Sequence, residues 1–270
     1  MPDAKVTVIV PTLCGGPVLA ECLRSLERQT APDYEVVVVD NSGEGMARSA
    51  AAGIAGVRVI ENRANVGFGE AVNQGLSASA SPFVAVLNDD AAASPRWIEA
   101  LLGAARNRPD AGMWASKVVL AGEDRLDSAG MVICADGTSK QRGHGEPPAA
   151  YCRAEEVLLP SGSAAMYRRD MLDEIGLFDK EFFLYCEDTD LGLRARWAGW
   201  RCVYVPEAIV EHRYSQSAGR ASPLKAYYVE RNRLFVIAKC FPAGALLRAA
   251  AAAAVRYFWH AVFLLRGRGA

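Results

Sequence analysis

Four short runs rich in apolar, β-branched residues divide the first 90 positions, and each stops on a residue that breaks the pattern. Val6 to Val10 ends at Pro11, Val36 to Val39 at Asp40, Val57 to Ile60 at Glu61, and Phe83 to Leu87 at Asn88-Asp89-Asp90. A strand wetted on one side alternates apolar with polar residues, whereas a run that is apolar throughout is covered on both faces. The spacers between the runs carry helical periodicity. Leu19, Cys22, Leu23 and Leu26 predict a helix over 18–28, Phe68, Ala71, Val72, Gly75 and Leu76 a second, and Trp97, Ile98, Leu101, Leu102 and Ala105 a third over 95–106. A further strand is expected at 112–115. This order predicts an α/β fold, a doubly wound and mostly parallel sheet flanked by helices. Ligands of such sheets bind beyond the carboxyl ends of the strands, where Asp40, Asp89 and Asp90 lie.

At 270 residues the chain is read as one large domain. Its 30 basic and 31 acidic residues leave a formal net charge of -1, so no global field recruits nucleic acid, and no basic cluster with interleaved aromatics appears. The 7 cysteines include no Cys-x-x-Cys pair, which suits free thiols in a reducing compartment. MPDAKVTVIVP runs straight into a strand without the regions of a signal peptide, so a cytoplasmic chain is expected. Two phosphate-binding devices are excluded. There is no Gly-x-x-x-x-Gly-Lys-Ser/Thr loop, and Gly43-Glu44-Gly45 is followed by Arg48 where a dinucleotide fingerprint requires glycine.

Adjacent carboxylates at a buried strand end repel, and each raises the other's pKa unless a cation intervenes. Magnesium or manganese fits, because both favour oxygen ligands and are commonly held by one or two carboxylates plus substrate phosphates. Alone, Asn88-Asp89-Asp90 reads equally as a polar turn. A second acidic cluster, Glu187, Asp188 and Asp190, crowds one helix start, with Asp188 or Thr189 as the cap. One cap needs one acid. Three of them behind the aromatic run Phe182, Phe183 and Tyr185 suggest a carboxylate in a partly apolar pocket, suited to general-base work. His212 follows a strand at 201–205, broken at Pro206 and resumed at Ile209; it is either structural or a third contact to metal or phosphate. Gly67 and Gly69 leave room for a ligand near the backbone, and Gly162 marks another close approach before a short helix. The Gly- and Pro-rich segment 136–150, with Arg142 and His144, is a lid or a surface excursion.

With these pieces assembled, the chain resembles glycosyltransferase family 2, the inverting nucleotide-sugar transferases of GT-A fold, and especially its bacterial rhamnosyltransferase-like members. The likeness runs from about Val6 to Phe241 and rests on VTVIVPT, VVVVDNS, NVGFGEAVNQG, LNDD and GLFDKEFFLYCEDTDLGLR followed by His212. It implies that Asp40 contacts the nucleotide base, that Asp90 holds the metal with Asn88 or Asp89 nearby, that Asp188 is the catalytic base, and that His212 is a metal or diphosphate ligand. By the same likeness Pro11, Thr12, Asn65, Gly67, Phe68, Asn73, Gly162 and Glu187 line the substrate site, and Arg231 contacts phosphate. Relatives often carry proline where this chain has Asp89, so either Asp89 or Asp90 could be the direct ligand; Asp90 is preferred.

The implied reaction moves a sugar from a dTDP- or UDP-linked donor, rhamnose from dTDP-rhamnose first among them, to a hydroxyl of a glycan, lipid-linked or small-molecule acceptor, with Mn2+ or Mg2+ as cofactor. Residues 1–115 would form the nucleotide-binding half and 116–240 the acceptor and catalytic half. The alternatives are a same-fold nucleotidyltransferase, whose usual Gly-rich basic loop is not evident, and a non-catalytic sugar-nucleotide-binding scaffold. Residues 241–270 predict an amphipathic helix in which Arg248, Arg256 and His260 share one arc. It is too interrupted to span a bilayer. It suits either an anionic membrane surface, on the inner face, or packing against the catalytic domain or a second subunit.

Overall fold

The computed structural model describes residues 5–213 and 222–267; 1–4 and 268–270, the ends of the N-terminal and tail segments read above, lie outside the described residues. The first part of the chain runs β1 (Val6–Thr12), α1 (Gly16–Glu27), β2 (Tyr34–Asp40), α2 (Ala47–Ala51), β3 (Val57–Glu61), α3 (Phe68–Ser77), β4 (Phe83–Leu87), β5 (Ala91–Ala93), α4 (Trp97–Asn107) and β6 (Ala111–Leu120). Then follow β7 (Leu126–Ser128), β8 (Met131–Ile133), β9 (Ser139–Gln141), β10 (Glu155–Val157), β11 (Ala164–Arg168), α5 (Arg169–Ile175), α6 (Glu187–Trp197), β12 (Arg201–His212), α7 (Pro223–Cys240) and α8 (Ala243–Leu265).

The main sheet has the order β10-β12-β6-β11-β4-β1-β2-β3. β1 pairs in parallel with β2 and β4, β2 with β3, and β6 with β12. The apolar runs arise because the central strands are covered twice. Val8, Val10, Val36 and Val38 face a core with Leu19, Leu23, Trp97 and Leu101 of α1 and α4. Ile9, Val37 and Val39 face the other core, with Val72 and Leu76 of α3, Met171 and Leu172 of α5, and Leu191 of α6.

The short helix expected after Gly162 is α5, and residues 164–168 before it form a central strand, antiparallel to both β4 and β6, for which no strand was expected. AAMYR has helical composition, but a slot between two buried strands overrides that preference. The expected break at Pro206 is a register shift between Val205 and Ile209 inside one continuous β12, because proline is tolerated in a strand where a bulge removes the need for its missing N–H. Segment 136–150 is tied down: β8 and β9 form a hairpin, Arg142 bonds the Ala129 carbonyl at 3.1 Å and lies over Tyr151, and His144 Nδ1 lies 3.0 Å from the Asp127 carbonyl.

Candidate active site

The first acidic pair sits where β4, β5 and β12 meet. β5 follows Asp90 directly, and its Ala91 pairs with His212 at the end of β12, so strand register alone brings Asp90 and His212 together. His212 Nε2 is 3.0 Å from Asp90 Oδ1, and Nδ1 is 2.8 Å from Asp127 Oδ2. Asp127 arrives through the turn from β6 to β7, whose Val119 pairs with Leu126. Burial lowers the imidazole pKa, but hydrogen bonds to Asp127 and Asp90 outweigh it and push His212 up to about 9. Thr12 Oγ1 donates to Asp89 Oδ2 at 2.6 Å. The Asp89 pKa is nevertheless raised: burial dominates, Thr12 opposes it, and the charge of Asp90 adds to the rise. Asn88 is held by its backbone N–H on the Ser163 carbonyl at 2.9 Å, and its amide lies 3.3 Å from His212 Nε2.

The donor set fits a divalent cation bound jointly with a substrate. Among the described residues no group of three or more His, Cys, Asp and Glu side chains could hold a metal alone. Asp90 Oδ1 and His212 Nε2 are separated as two neighbouring ligands of one octahedral ion would be, since metal–ligand bonds of about 2.1 Å at right angles put the ligands about 3 Å apart. Asp127 on the opposite ring nitrogen is the outer carboxylate that orients metal-binding histidines.

The second pair opens α6. Cys186, in the left-handed region with φ 65°, precedes the helix with no side-chain cap, so neither Asp188 nor Thr189 caps it as expected. Asp188 Oδ2 accepts from the Gly162 N–H at 2.8 Å, and Oδ1 accepts from the Thr189 N–H at 2.6 Å and its hydroxyl at 3.2 Å. Burial still raises its pKa against those hydrogen bonds. Glu187 is 6% exposed, its Oε2 has no hydrogen-bond partner, and burial plus the charge of Asp188 push it up to about 8. The donors from Gly162 and Thr189 serve Asp188, so of the two carboxyls Asp188 is the one whose charged form is favoured and Glu187 the one held toward its protonated form. Asp190 is committed elsewhere, to Arg194 at 2.9 Å and Lys239 at 2.8 Å.

Two consecutive residues join the pairs. Gly162 donates to Asp188 while the Ser163 carbonyl accepts from Asn88, because β11 begins beside the end of β4 with Ala164 opposite Leu87. A β-carbon at Gly162 would lie 3.2 Å from Asp188 Oδ2, so the close approach expected there is made by the carboxylate.

Several other expected site residues are occupied with protein. Asp40 is fully buried, and its oxygens accept from the N–H groups of Ser42 at 2.8 Å and Ala47 at 2.7 Å. Burial raises its pKa, and the bonds from Ser42 and Ala47 bring it below the usual value. Pro11 is buried in β1 opposite Val39. Asn65 accepts from the Gly67 N–H at 2.8 Å, and Asn73 brackets Phe178 through its N–H at 3.1 Å and its carbonyl at 2.8 Å. The space over Gly67 is filled by Phe183, whose carbonyl would lie 2.5 Å from an added β-carbon and accepts from the Phe68 N–H at 2.7 Å; over Gly69 an added β-carbon would lie 3.0 Å from Phe178 Cβ. The room expected for a ligand at both glycines is therefore taken up by the chain. Arg231 donates to the carbonyls of Glu181 and Phe182, both at 2.8 Å, so its fork is turned to backbone and not to an open phosphate site. Sequence reasoning missed Asp127 and Asn232. Asp127 lies in a three-residue strand without periodicity, and Asn232 is masked by the helical pattern around it; only its place beside Arg231 hints at a role.

A family model described as "Glycosyltransferase like family 2" matches residues 2–235. The N-acetylglucosaminyl-diphospho-decaprenol L-rhamnosyltransferase of Mycobacterium tuberculosis is 33% identical over 247 residues, covering 82% of this chain and 80% of that protein. Among solved structures, the mannosyltransferase PcManGT from Pyrobaculum calidifontis, in complex with GDP-Man and Mn2+, superposes with a TM-score of 0.57 at 18% identity over 98% of this chain and 83% of that one. GalNAc-T7 with UDP, GalNAc and Mn2+ gives 0.68 at 16% identity over 87% of this chain and 48% of that one.

Proposed function

The chain belongs to glycosyltransferase like family 2 and is a glycosyltransferase of GT-A fold, and from that premise we propose a metal-dependent, inverting transfer from a nucleoside diphosphate sugar to a lipid-linked acceptor. The observation that carries the reading is the Gly162–Ser163 bridge, with Asp188 bonded to one residue and Asn88, beside Asp89 and Asp90, to the next. Asp90 and His212 would hold Mn2+ or Mg2+, oriented by Asp127. The bound ion supplies neutralisation of the diphosphate leaving group. Thr12 and Asp89 lie beside it for the nucleoside. Asp40, buried and occupied by the Ser42 and Ala47 N–H groups, would act on the nucleotide base by ordering the 41–47 loop beside it. Asp188 takes the proton of the acceptor hydroxyl as that oxygen attacks the anomeric carbon opposite the diphosphate, and a single displacement inverts the centre. dTDP-rhamnose is the first donor to consider, and a polyprenyl-diphosphate glycan the first acceptor, because the relative at 33% identity is named for L-rhamnosyl transfer to N-acetylglucosaminyl-diphospho-decaprenol.

The tail supports work at a membrane surface. No helix among the described residues is long and apolar enough to cross a bilayer. α8 instead turns small and polar residues inward: Ala249 is buried, and Arg256 grips Glu230 by two bonds of 2.8 Å. Leu247, Val255, Phe258, Trp259 and Phe263 are exposed on it. From 231 to the end the chain contains no Asp or Glu, so that apolar face carries positive charge only. This combination favours anionic lipid. Co-sedimentation with phosphatidylglycerol vesicles should fall when Phe258 and Trp259 are both changed to Ser; unchanged binding overturns the lipid reading.

The central experiment is a panel of dTDP-, UDP- and GDP-sugars scored for thermal stabilisation and turnover, with and without Mn2+, on wild type and Asp188→Asn. Expected are Mn2+-dependent stabilisation by one donor in both proteins and a loss of turnover of about 10²–10⁴-fold in the variant. A donor that binds without metal, or a variant that turns over normally, overturns the reading.

A further inference from the structure

Between the 3-10 turn at Lys180–Phe182 and α6 lies a segment with an unusual backbone. Phe183 has φ 61° and ψ -57°, Tyr185 has φ 68° and Cys186 φ 65°, and these are the non-glycine residues with positive φ among those described. Side chains disfavour that region, so such a run persists only where its surroundings over-determine it. It ends on the two acids that open α6, and the Cys186 carbonyl already accepts the first helical bond, from the Asp190 N–H at 3.0 Å. The conformation of 183–186 therefore sets the direction in which Asp188 leaves the backbone.

One buried side chain gathers the segment. Asn232 of α7 is 0% exposed, and its Nδ2 lies 2.8 Å from the Phe182 carbonyl, 2.8 Å from that of Leu184 and 2.6 Å from that of Tyr185. Its Oδ1 accepts from Arg231 Nε at 2.9 Å, which fixes the amide with its NH2 group toward those carbonyls. Arg231 reaches the carbonyls of Glu181 and Phe182 and lies 4.7 Å from the Tyr228 ring centre, so its own fork is braced. The intervening carbonyl, that of Phe183, points the other way and accepts from Phe68 at the start of α3. The segment is pinned from both sides, by α7 through three carbonyls and by the Gly67–Phe68 turn through one.

We propose that Asn232, oriented by Arg231, is a positioning residue for Asp188: it holds the left-handed segment that aims the carboxylate toward the acceptor. The inference rests on the reading of Asp188 as the proton acceptor. Asn232 itself touches no substrate. Its chemistry is specific to the task, because an amide NH2 can donate to converging carbonyls whereas a carboxylate of the same shape offers them only negative charge. Arg231 in this account acts through Asn232, which separates it from the phosphate contact implied by family likeness.

The test uses the full chain and the donor that wild type turns over with Mn2+, comparing Asn232→Ala, Asn232→Asp and Arg231→Lys with Asp188→Asn. Misplacing a reacting group by about 1 Å costs about 10²-fold in rate, so both Asn232 variants should lose about that factor in kcat while the donor KM stays within about twofold. The acidic limb of the kcat–pH profile should move to higher pH in Asn232→Ala, because Asp188 loses alignment with the Gly162 and Thr189 donors that favour its charged form. That midpoint does not depend on how much of the sample is folded, so a general loss of stability would not shift it. Arg231→Lys should give a smaller fall in kcat, several-fold, with donor KM unchanged. If the Asn232 variants do not fold, Arg231→Lys decides alone. Unchanged kcat, or a raised donor KM with kcat intact, overturns the proposal. An active Asp188→Asn enzyme instead removes the reading beneath it, and is told apart because it leaves the Asn232 results without a base to position.

Discussion

The end of β4 and the start of α6 each carry two adjacent carboxylates, and the two pairs are in opposite electrostatic situations. Asp89 and Asp90 have partners that take up negative charge: a hydroxyl from Thr12 and an imidazole held up to about 9 between Asp90 and Asp127. Among the described residues no ion pair is made by Glu187 or Asp188. Their relief comes mostly from the N–H and O–H donors of Gly162 and Thr189, which serve Asp188, and Glu187, with an oxygen left unpartnered, is pushed up to about 8. Two neighbouring acids are thus not one motif. On the proposed reading, the pair with a cation-compatible partner beside it would serve a metal, and the pair with only neutral donors would leave one acid protonated and the other as the base.

Changing the first pair should break the comparison most visibly. Asp90→Asn removes the carboxylate nearest His212 Nε2 and should abolish Mn2+-dependent stabilisation by the donor, leaving the second pair intact. Asp127→Asn is a graded version: it keeps the geometry around His212 Nδ1 but removes the outer charge, and should weaken Mn2+ binding about 10- to 100-fold. Calorimetric titration of Mn2+ in the presence of the nucleotide measures both. Wild-type affinity in Asp127→Asn would mean that His212 is not a ligand, and the contrast between the pairs would then rest on Asp90 alone.

The two pairs also differ in how far sequence could foretell them. Asp89 and Asp90 stood out because a continuous apolar run ended on them, and β4 is such a run with both faces buried. Asp188 stood out through its acidic neighbours. Their partners did not, because contacts between residues far apart in sequence depend on register. Asp127 meets His212 only through the pairing of β6 with both β7 and β12, and Gly162 meets Asp188 only because β11 is inserted antiparallel beside β4. That insertion was itself illegible, since AAMYR favours a helix in isolation. The glycines were legible as points of close approach, but what approaches was not: at Gly67 it is Phe183, at Gly69 Phe178, and at Gly162 Asp188. Arg231 was found for a different reason from the one its geometry gives.

The smallest effect, and the sharpest test of the contrast, is in stability rather than rate. An acid whose folded pKa lies above its ordinary value binds more protons in the native state, so its favourable contribution is complete below the unfolded value and is lost as pH rises through the folded one. For Glu187 that window runs from 4.5 to about 8. Glu187→Gln should therefore match wild type at pH 4.5 and exceed it by on the order of 2 kcal/mol at pH 7, since one pKa unit is worth about 1.4 kcal/mol. Glu230 provides the opposite case. Arg256 grips it, burial opposes, Tyr257 assists, and its pKa falls from 4.5 to about 2. Its contribution is present above 4.5 and lost as pH falls through about 2, so Glu230→Gln should be less stable than wild type at pH 7. With both partners partly exposed, solvent screening reduces that loss to about 0.5–1 kcal/mol. Urea unfolding at pH 5 and pH 7.5 reads both signs. If Glu187→Gln shows no gain at the higher pH, the second pair has a counter-charge after all, and the division of labour between the two acidic pairs fails.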